Sequence, residues 1–253
     1  MIAERLIKSL PRWPGCMITL IGVGHVFAIS DDVKRIVLAR RPDIVCLELD
    51  AARFNALMQK RTGVADRRAV PLQYRLLAHF QKRMAEQYGT EVGDEMLAGA
   101  DAAHELGSKL ALIDMDASTV FARLWRNMSF RERLTLFTGA FAGLFVSKKR
   151  VEEEIQKFES QEDQYIELLS QGFPTLKEVL IDDRNKFMAE RISALRSEFK
   201  TIVAVVGDGH IPGLVKLLGQ PDLEIIRLKD IRNPSATNQG ASEFKTSYWY
   251  HSQ

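Results

Sequence analysis

Five short runs of the chain are apolar at consecutive positions, without the alternation of a half-exposed strand. They cover residues 17–21, 44–49, 110–113, 202–206 and 223–228, the third being the weakest. Unbroken apolar, β-branched runs suit strands buried on both faces, as in a parallel sheet covered by helices. Between the first two lies SDDVKRIVLAR, residues 30–40, which predicts a helix capped by Ser30 with Asp31 and Asp32 in its first turn. A second βαβ unit is predicted over 202–228, with its helix at 211–218. The alternation predicts an α/β fold, a mostly parallel central sheet with flanking helices. Successive strands of a βαβ unit are commonly neighbours, so the second strand is expected beside the first.

The middle of the chain has helical spacing of Leu, Met and Ala at 51–61, 70–88, 93–106, 117–128, 130–146, 148–171 and 174–197. That is too much helix for a simple doubly wound sheet. Residues 117–197 are therefore expected to form a helical insertion or lid on a single α/β domain spanning 1–232. The polar, turn-rich stretch 233–253 reads as a tail held at most through Tyr248, Trp249 and Tyr250.

Composition narrows the classes. With 46% hydrophobic and 27% charged residues, disorder is not expected. A net charge of +2 gives no general attraction to nucleic acid, and the local basic clusters read as solvated helix faces, so no nucleic-acid partner is expected. Cys16 and Cys46 form no CxxC or disulfide framework, which fits a reducing, cytoplasmic setting. Cys46, inside DIVCLEL, reads as a small buried residue. The start of the chain is too short and charged for a signal peptide. The apolar stretch 134–146 falls well short of the roughly 20 residues that span a bilayer. It leaves open peripheral membrane contact, or a homodimer through the helical region.

The chemistry concentrates at strand ends. Two of the five histidines close the same signature, LIGVGHV at residues 20–26 and VVGDGHIPG at residues 205–213. Sites of α/β proteins lie at the carboxyl ends of strands. Gly22, Gly24, Gly207 and Gly209 would let backbone amides approach a ligand and permit positive φ there. No third small residue follows Gly22 and Gly24, and no Gly-Lys-Ser/Thr is present, which speaks against a nucleotide loop. His25 and His210 are thus candidate metal ligands or general bases. Glu48 interrupts an apolar run at its carboxyl end, where a carboxylate needs a cation, a metal or a proton donor. Together the three form a donor set for a divalent metal with open positions for water or substrate. Asp50 reads as the cap of the next helix. Arg53, one turn into that helix, could fold back on Glu48 or hold a substrate carboxylate. Asp114 occupies the equivalent position after the third strand. Arg184, from spacing alone, reads as a surface ion pair.

In order along the chain, GVGHV, PDIVCLELDAAR, GDEMLAGADAAHELGSKLALIDMD, FPTLKEVLIDDRNKFMAERI and VVGDGHIPGL resemble the motifs of the TraB/PrgY family, related to GumN and TIKI proteins. The resemblance covers about residues 17–228 and implies an erythromycin esterase/ChaN-like core. TIKI proteins are metal-dependent proteases with two Gly-x-x-His histidines and a glutamate at the active site, and PrgY-type members act in peptide pheromone shutdown. By resemblance, this assigns His25, Glu48 and His210 to a divalent metal (manganese, cobalt, zinc or iron), with Arg53 and Arg184 at further polar motif positions. Asp183 and Asn185 depart from the Glu-Arg-Asp element, of which Arg184 is the unchanged member, and Ile113 and Met115 depart around Asp114. The membrane region of longer relatives is not found, so the chain is expected to be their soluble domain. The expected activity is metal-dependent hydrolysis of a peptide or a small amide or ester. The alternatives are a non-catalytic binder of a peptide or metal cofactor, and a homo-oligomeric interaction module.

Overall fold

The computed structural model of the chain describes residues 16–24, 29–62, 93–135, 172–219 and 223–232. All five predicted strands form: β1 (Met17–Val23), β2 (Ile44–Leu47), β3 (Lys109–Leu112), β4 (Thr201–Gly207) and β5 (Leu223–Ile226). They make one sheet in the order β3-β2-β4-β1-β5, and its pairings are parallel. The helices are α1 (Ser30–Arg40), α2 (Ala51–Thr62), α3 (Asp94–Leu106), α4 (Ala117–Asn127), α5 (Pro174–Lys177), α6 (Asp183–Leu195), α7 (Ile211–Leu218) and α8 (Leu228–Arg232). A further helix runs through residues 130–135. The expected helices at 70–88 and 148–171, the stretch beyond residue 135, and the tail lie outside the described residues. Among the described residues no helix is long and apolar enough to cross a membrane.

The strand order corrects one expectation, because β1 and β2 are not neighbours. β4 lies between them, in register from Met17↔Thr201 to Val23↔Gly207 on one side and from Ile44↔Ile202 to Leu47↔Val205 on the other. The reason is burial. Ile202 to Val206 is buried at every position, as are Ile18 to Val23 and Ile44 to Leu47, so these three runs take the inner places with both faces covered. β3 and β5 carry Lys109 and Glu224 and go to the edges. Arg40 of α1 secures the β5 edge by donating to Glu224 from Nε at 2.8 Å, and Thr19 donates to the same carboxylate at 2.9 Å.

Alternate residues of the sheet face two helical layers. Ile18, Leu20, Cys46, Ile202, Ala204 and Val206 pack with Met188, Ala189 and Ile192 of α6 and with Ile211 and Leu214 of α7. Ile21, Val45, Leu47, Val203 and Val205 pack with Val33 and Val37 of α1 and with Met96, Ala102 and Ala103 of α3. The expected insertion therefore ends inside the core, since α6 is one of the sheet's own covering layers. Cys46 is fully buried, and burial pushes its thiol up to about 12, which fits an inert packing residue. Ser30 is the first residue of α1 and makes no side-chain cap, because buried Ile29 occupies the cap position.

The amino ends of β2 and β4 are clamped by Asp43, whose Oδ2 accepts the N–H groups of Lys200 at 2.9 Å and Thr201 at 2.8 Å. Burial alone would push this carboxyl up, but bonds from Thr201 and Lys200 outweigh it and hold it below its ordinary value. The clamp's contribution is thus present above the unfolded aspartate value of about 3.9 and is lost as pH falls through the lower folded value. Asp43→Asn should cost about 1 kcal/mol at neutral pH and almost nothing near pH 2. Urea unfolding of both proteins at the two pH values checks this; an equal cost at both would contradict it.

Candidate functional site

The connections leaving adjacent strands part at β4. α1, which follows β1, and α3, in the connection from β2 to β3, cover one face, while α7, which follows β4, covers the other. Right-handed crossovers in opposite lateral directions produce this split. Such a switch opens a crevice at the carboxyl ends of the strands, the usual ligand position in open α/β sheets. Glu48 follows β2 at this crevice, and His210 closes the short 3₁₀ turn Asp208–His210 that follows β4.

Both side chains are buried, with Glu48 6% and His210 5% exposed. His210 Nε2 lies 3.3 Å from Glu48 Oε1. Oε1 also accepts from Arg184 Nη2, and Oε2 accepts the Gly207 N–H at 2.5 Å. Burial pushes the Glu48 carboxyl upward, but His210, Arg184 and the Gly207 amide outweigh it and hold it well below the usual carboxylate range. Glu48 is therefore an ionised carboxylate inside the protein.

Arg184 is not a surface residue. Its side chain is 16% exposed. Its Nε donates to Asp114 Oδ1 at 3.0 Å and its Nη2 to Asp114 Oδ2 at 2.7 Å, a fork on one carboxylate while the same guanidinium reaches Glu48. Burial disfavours its charge, yet Asp114 and Glu48 raise its affinity for the proton still further. A π-helical turn at Glu178–Asp182, between α5 and α6, precedes it. That turn presents the Leu180 carbonyl, which accepts Arg184 Nη1 at 3.2 Å. One extra residue in such a turn re-aims the side chains that follow it. Spacing alone misjudged Arg184 because a regular helical count takes no account of that phase shift.

Arg53 does not reach Glu48. Its Nε donates to Asp50 Oδ2 at 2.7 Å, and its Nη2 donates to Asp114 Oδ2. Asp50 caps α2 as expected, accepting the Arg53 N–H at 2.8 Å. Asp114 is the shared partner of both arginines and also accepts the Met115 N–H at 2.8 Å. It holds the two cations in place and is itself buried. The described cluster thus contains three carboxylates, Glu48, Asp50 and Asp114, against two guanidinium groups.

Gly22 and Gly207 act by leaving space, since neither has a positive φ and a Cβ on either would crowd a carboxylate. A Cβ on Gly22 would lie 2.0 Å from Asp208 Oδ1. Asp208 in turn binds Arg227, Nη2 to Oδ2 at 2.8 Å, and the Leu228 N–H at 2.9 Å. Gly22 therefore allows the turn after β4 to close against β1. Gly207 contributes its N–H to Glu48, and a Cβ there would lie 3.3 Å from Oε2. His25 lies outside the described residues; β1, which leads to it, ends with Val23 paired to Gly207.

One site residue escaped the sequence reading. Asn185, 3% exposed, has its Oδ1 2.7 Å from His210 Nδ1. A signal was present: Asn185 stands three and seven residues before Met188 and Ile192, on the stripe α6 buries against the sheet. A polar residue on a core stripe calls for a buried partner.

Among the described residues no group of three His, Cys, Asp or Glu side chains is arranged to hold a metal ion. Glu48 and His210 do suit two ligands of one ion. Ligands bound at about 2.1 Å stand roughly 3.0–3.5 Å apart, and Oε1 and Nε2 are separated by 3.3 Å. An ionised Oε1 facing an Nε2 lone pair is repulsive, so a cation, either a proton or a metal ion, is required between them.

The model of the TraB/PrgY/gumN family matches residues 12–227. An uncharacterized protein of Methanocaldococcus jannaschii is 30% identical over 230 residues, covering 85% of this chain and 58% of that protein. TraB domain-containing proteins of mouse and human are 26% and 25% identical, each covering 93% of this chain and 71% of the relative. The chain thus spans little more than half the length of the archaeal relative. The matched range takes in all five strands of the sheet, and with them Glu48, Asp50, Arg53, Asp114, Arg184, Asn185 and His210, so the chain belongs to the TraB/PrgY/gumN family.

Proposed function

We propose that the chain is a metal-dependent hydrolase of a peptide or a small amide or ester, with its chemistry centred on Glu48 and His210. The observation that carries this reading is the buried Nε2–Oε1 pair at 3.3 Å, set among more acids than arginines at the switch point of the sheet. Such a cluster is costly to build, and apolar residues of similar size would often serve stability as well or better. Proteins keep perturbed, buried ionisable groups mainly where chemistry or binding needs them.

In this reading Glu48 and His210 contribute two ligands, and His25, by family resemblance, a third. A divalent ion bound there supplies a water ionised near neutral pH. Arg184 keeps Glu48 charged and fixed in direction. Arg53, with 38% of its side chain exposed, is the cation a substrate oxygen meets first. There it would orient a scissile carbonyl or a terminal carboxylate. Metal analysis of the purified chain, beside turnover of a panel of peptides, amides and esters, tests the reading. The wild type should carry about one divalent ion per chain and show turnover, and His210→Ala should lose both. Ligand binding without turnover would favour a sequestering protein instead, and full turnover in His210→Ala would overturn the proposal.

A further inference from the structure

We propose that Asn185 is the positioning residue of this site, fixing the proton of His210 on Nδ1 so that Nε2 presents its lone pair beside Glu48. This rests on reading Glu48 and His210 as one site, but the proton's location can be measured without any turnover.

Three observations support it. Asn185 Oδ1 lies 2.7 Å from His210 Nδ1 with both residues buried, and a carbonyl oxygen can only accept, so Nδ1 must be the donor. With Nδ1 carrying the proton, the neutral ring has only Nε2 available as an acceptor or ligand. Histidines that ligate metals generally donate from their other nitrogen to an oxygen in this way, which sets both tautomer and ring direction.

The second observation is the space made for the carboxamide. A Cβ on Gly213 would lie 2.1 Å from Asn185 Nδ2 and 2.8 Å from Cγ. Gly213 stands in the first turn of α7, where glycine weakens a helix relative to alanine. Its presence there is accounted for by the amide it accommodates.

The third is chain geometry. Arg184 and Asn185 are adjacent on α6, directly after the π turn, yet they serve different strand ends. Arg184 reaches Glu48 after β2, and Asn185 reaches His210 after β4. One helix turn thereby fixes the two members of the pair relative to each other. An amide does this without adding a further negative charge to a cluster already richer in acids than in arginines.

Long-range ¹H–¹⁵N correlation spectra of the full chain, stripped of metal with chelator, report which ring nitrogen of His210 carries the proton. The wild type should show Nδ1–H, joined in the metal-free protein by the proton that lies between Nε2 and Glu48 Oε1, and Asn185→Asp, which keeps an acceptor oxygen, should retain it. Asn185→Leu, similar in size but with no acceptor, should lose the Nδ1–H and leave a proton on Nε2 alone. Gly213→Ala, which pushes the carboxamide away, should reproduce the leucine spectrum. A proton found on Nε2 alone in the wild type overturns the proposal whatever the variants do, and so does an unchanged spectrum in a folded Asn185→Leu protein. Loss of turnover with the tautomer as described would leave this inference standing, whereas the predicted tautomer shift with no hydrolysis in any variant would count against the proposed activity alone.

Discussion

Arg184→Met should lower the stability of the chain by about 3–5 kcal/mol, the usual cost of removing one partner from a buried ion pair. For a chain of this size that corresponds to a fall in Tm of roughly 10 °C. Methionine fills much of the volume and keeps the apolar stem, so the loss reads the charge and not a cavity. Two carboxylates are affected together. Among the described residues, Glu48 keeps the Gly207 N–H and His210, and Asp114 keeps Arg53 and the Met115 N–H. Those remaining contacts place the expected loss toward the lower end of the range. Arg184→Lys should fall between the two proteins, because an ammonium keeps the charge but cannot form the fork on Asp114 while also reaching Glu48. Urea unfolding of the three proteins at neutral pH measures this. A loss below 1 kcal/mol in Arg184→Met would show that the network is open to solvent and not a buried cluster.

Glu48→Gln should reduce turnover by about 10²–10⁴-fold while leaving the fold intact, the range seen when one positioned acid–base group is removed. Glutamine has the same shape and can still accept the Gly207 N–H. Arg184 still has Asp114, so the stability cost should be smaller than that of Arg184→Met. What disappears is the negative charge facing His210 Nε2, and with it the need for a cation between the two residues. Bound divalent metal should fall in parallel with turnover. Circular dichroism, metal content and initial rates on the same preparations check this together. Wild-type rates in a folded Glu48→Gln protein would remove Glu48 from the chemistry and reduce it to a packing element.

Glu48 and His210 were legible as site residues because each breaks a strong local pattern: a carboxylate ending an apolar strand, and a histidine in a glycine turn after one. Arg53 was legible as a residue that folds back over the site, but its partner was misjudged. The expectation offered Glu48 or a substrate carboxylate, and within the protein it is Asp114 and Asp50 that hold it. Asp114 was visible as a polar residue after a strand, but nothing along the chain shows that it joins two arginines 131 positions apart, at 53 and 184. The regular helix expected over residues 174–197 concealed the π turn that aims Arg184 and Asn185 into the site.

By itself, the sequence determined the five strands and the α/β class, because runs of apolar β-branched residues carry their structural preference locally. The expected burial on both faces holds for β1, β2 and β4, whereas the edge strands β3 and β5 expose Leu110 and Ile225. The sequence also placed the polar residues at the carboxyl ends of those strands. The order of the strands belongs to the tertiary structure. β1, β2 and β4, whose apolar runs are buried throughout, take the inner places because the centre of the sheet hides the most apolar surface from water, and β4 lies between the other two. That order, and not the adjacency of β1 and β2, brings His210 beside Glu48. The pairing of charges was likewise decided only in three dimensions, since a buried carboxylate takes its partner from whichever cation the packed layers bring within reach. For Glu48 that cation is Arg184, 136 positions further along the chain.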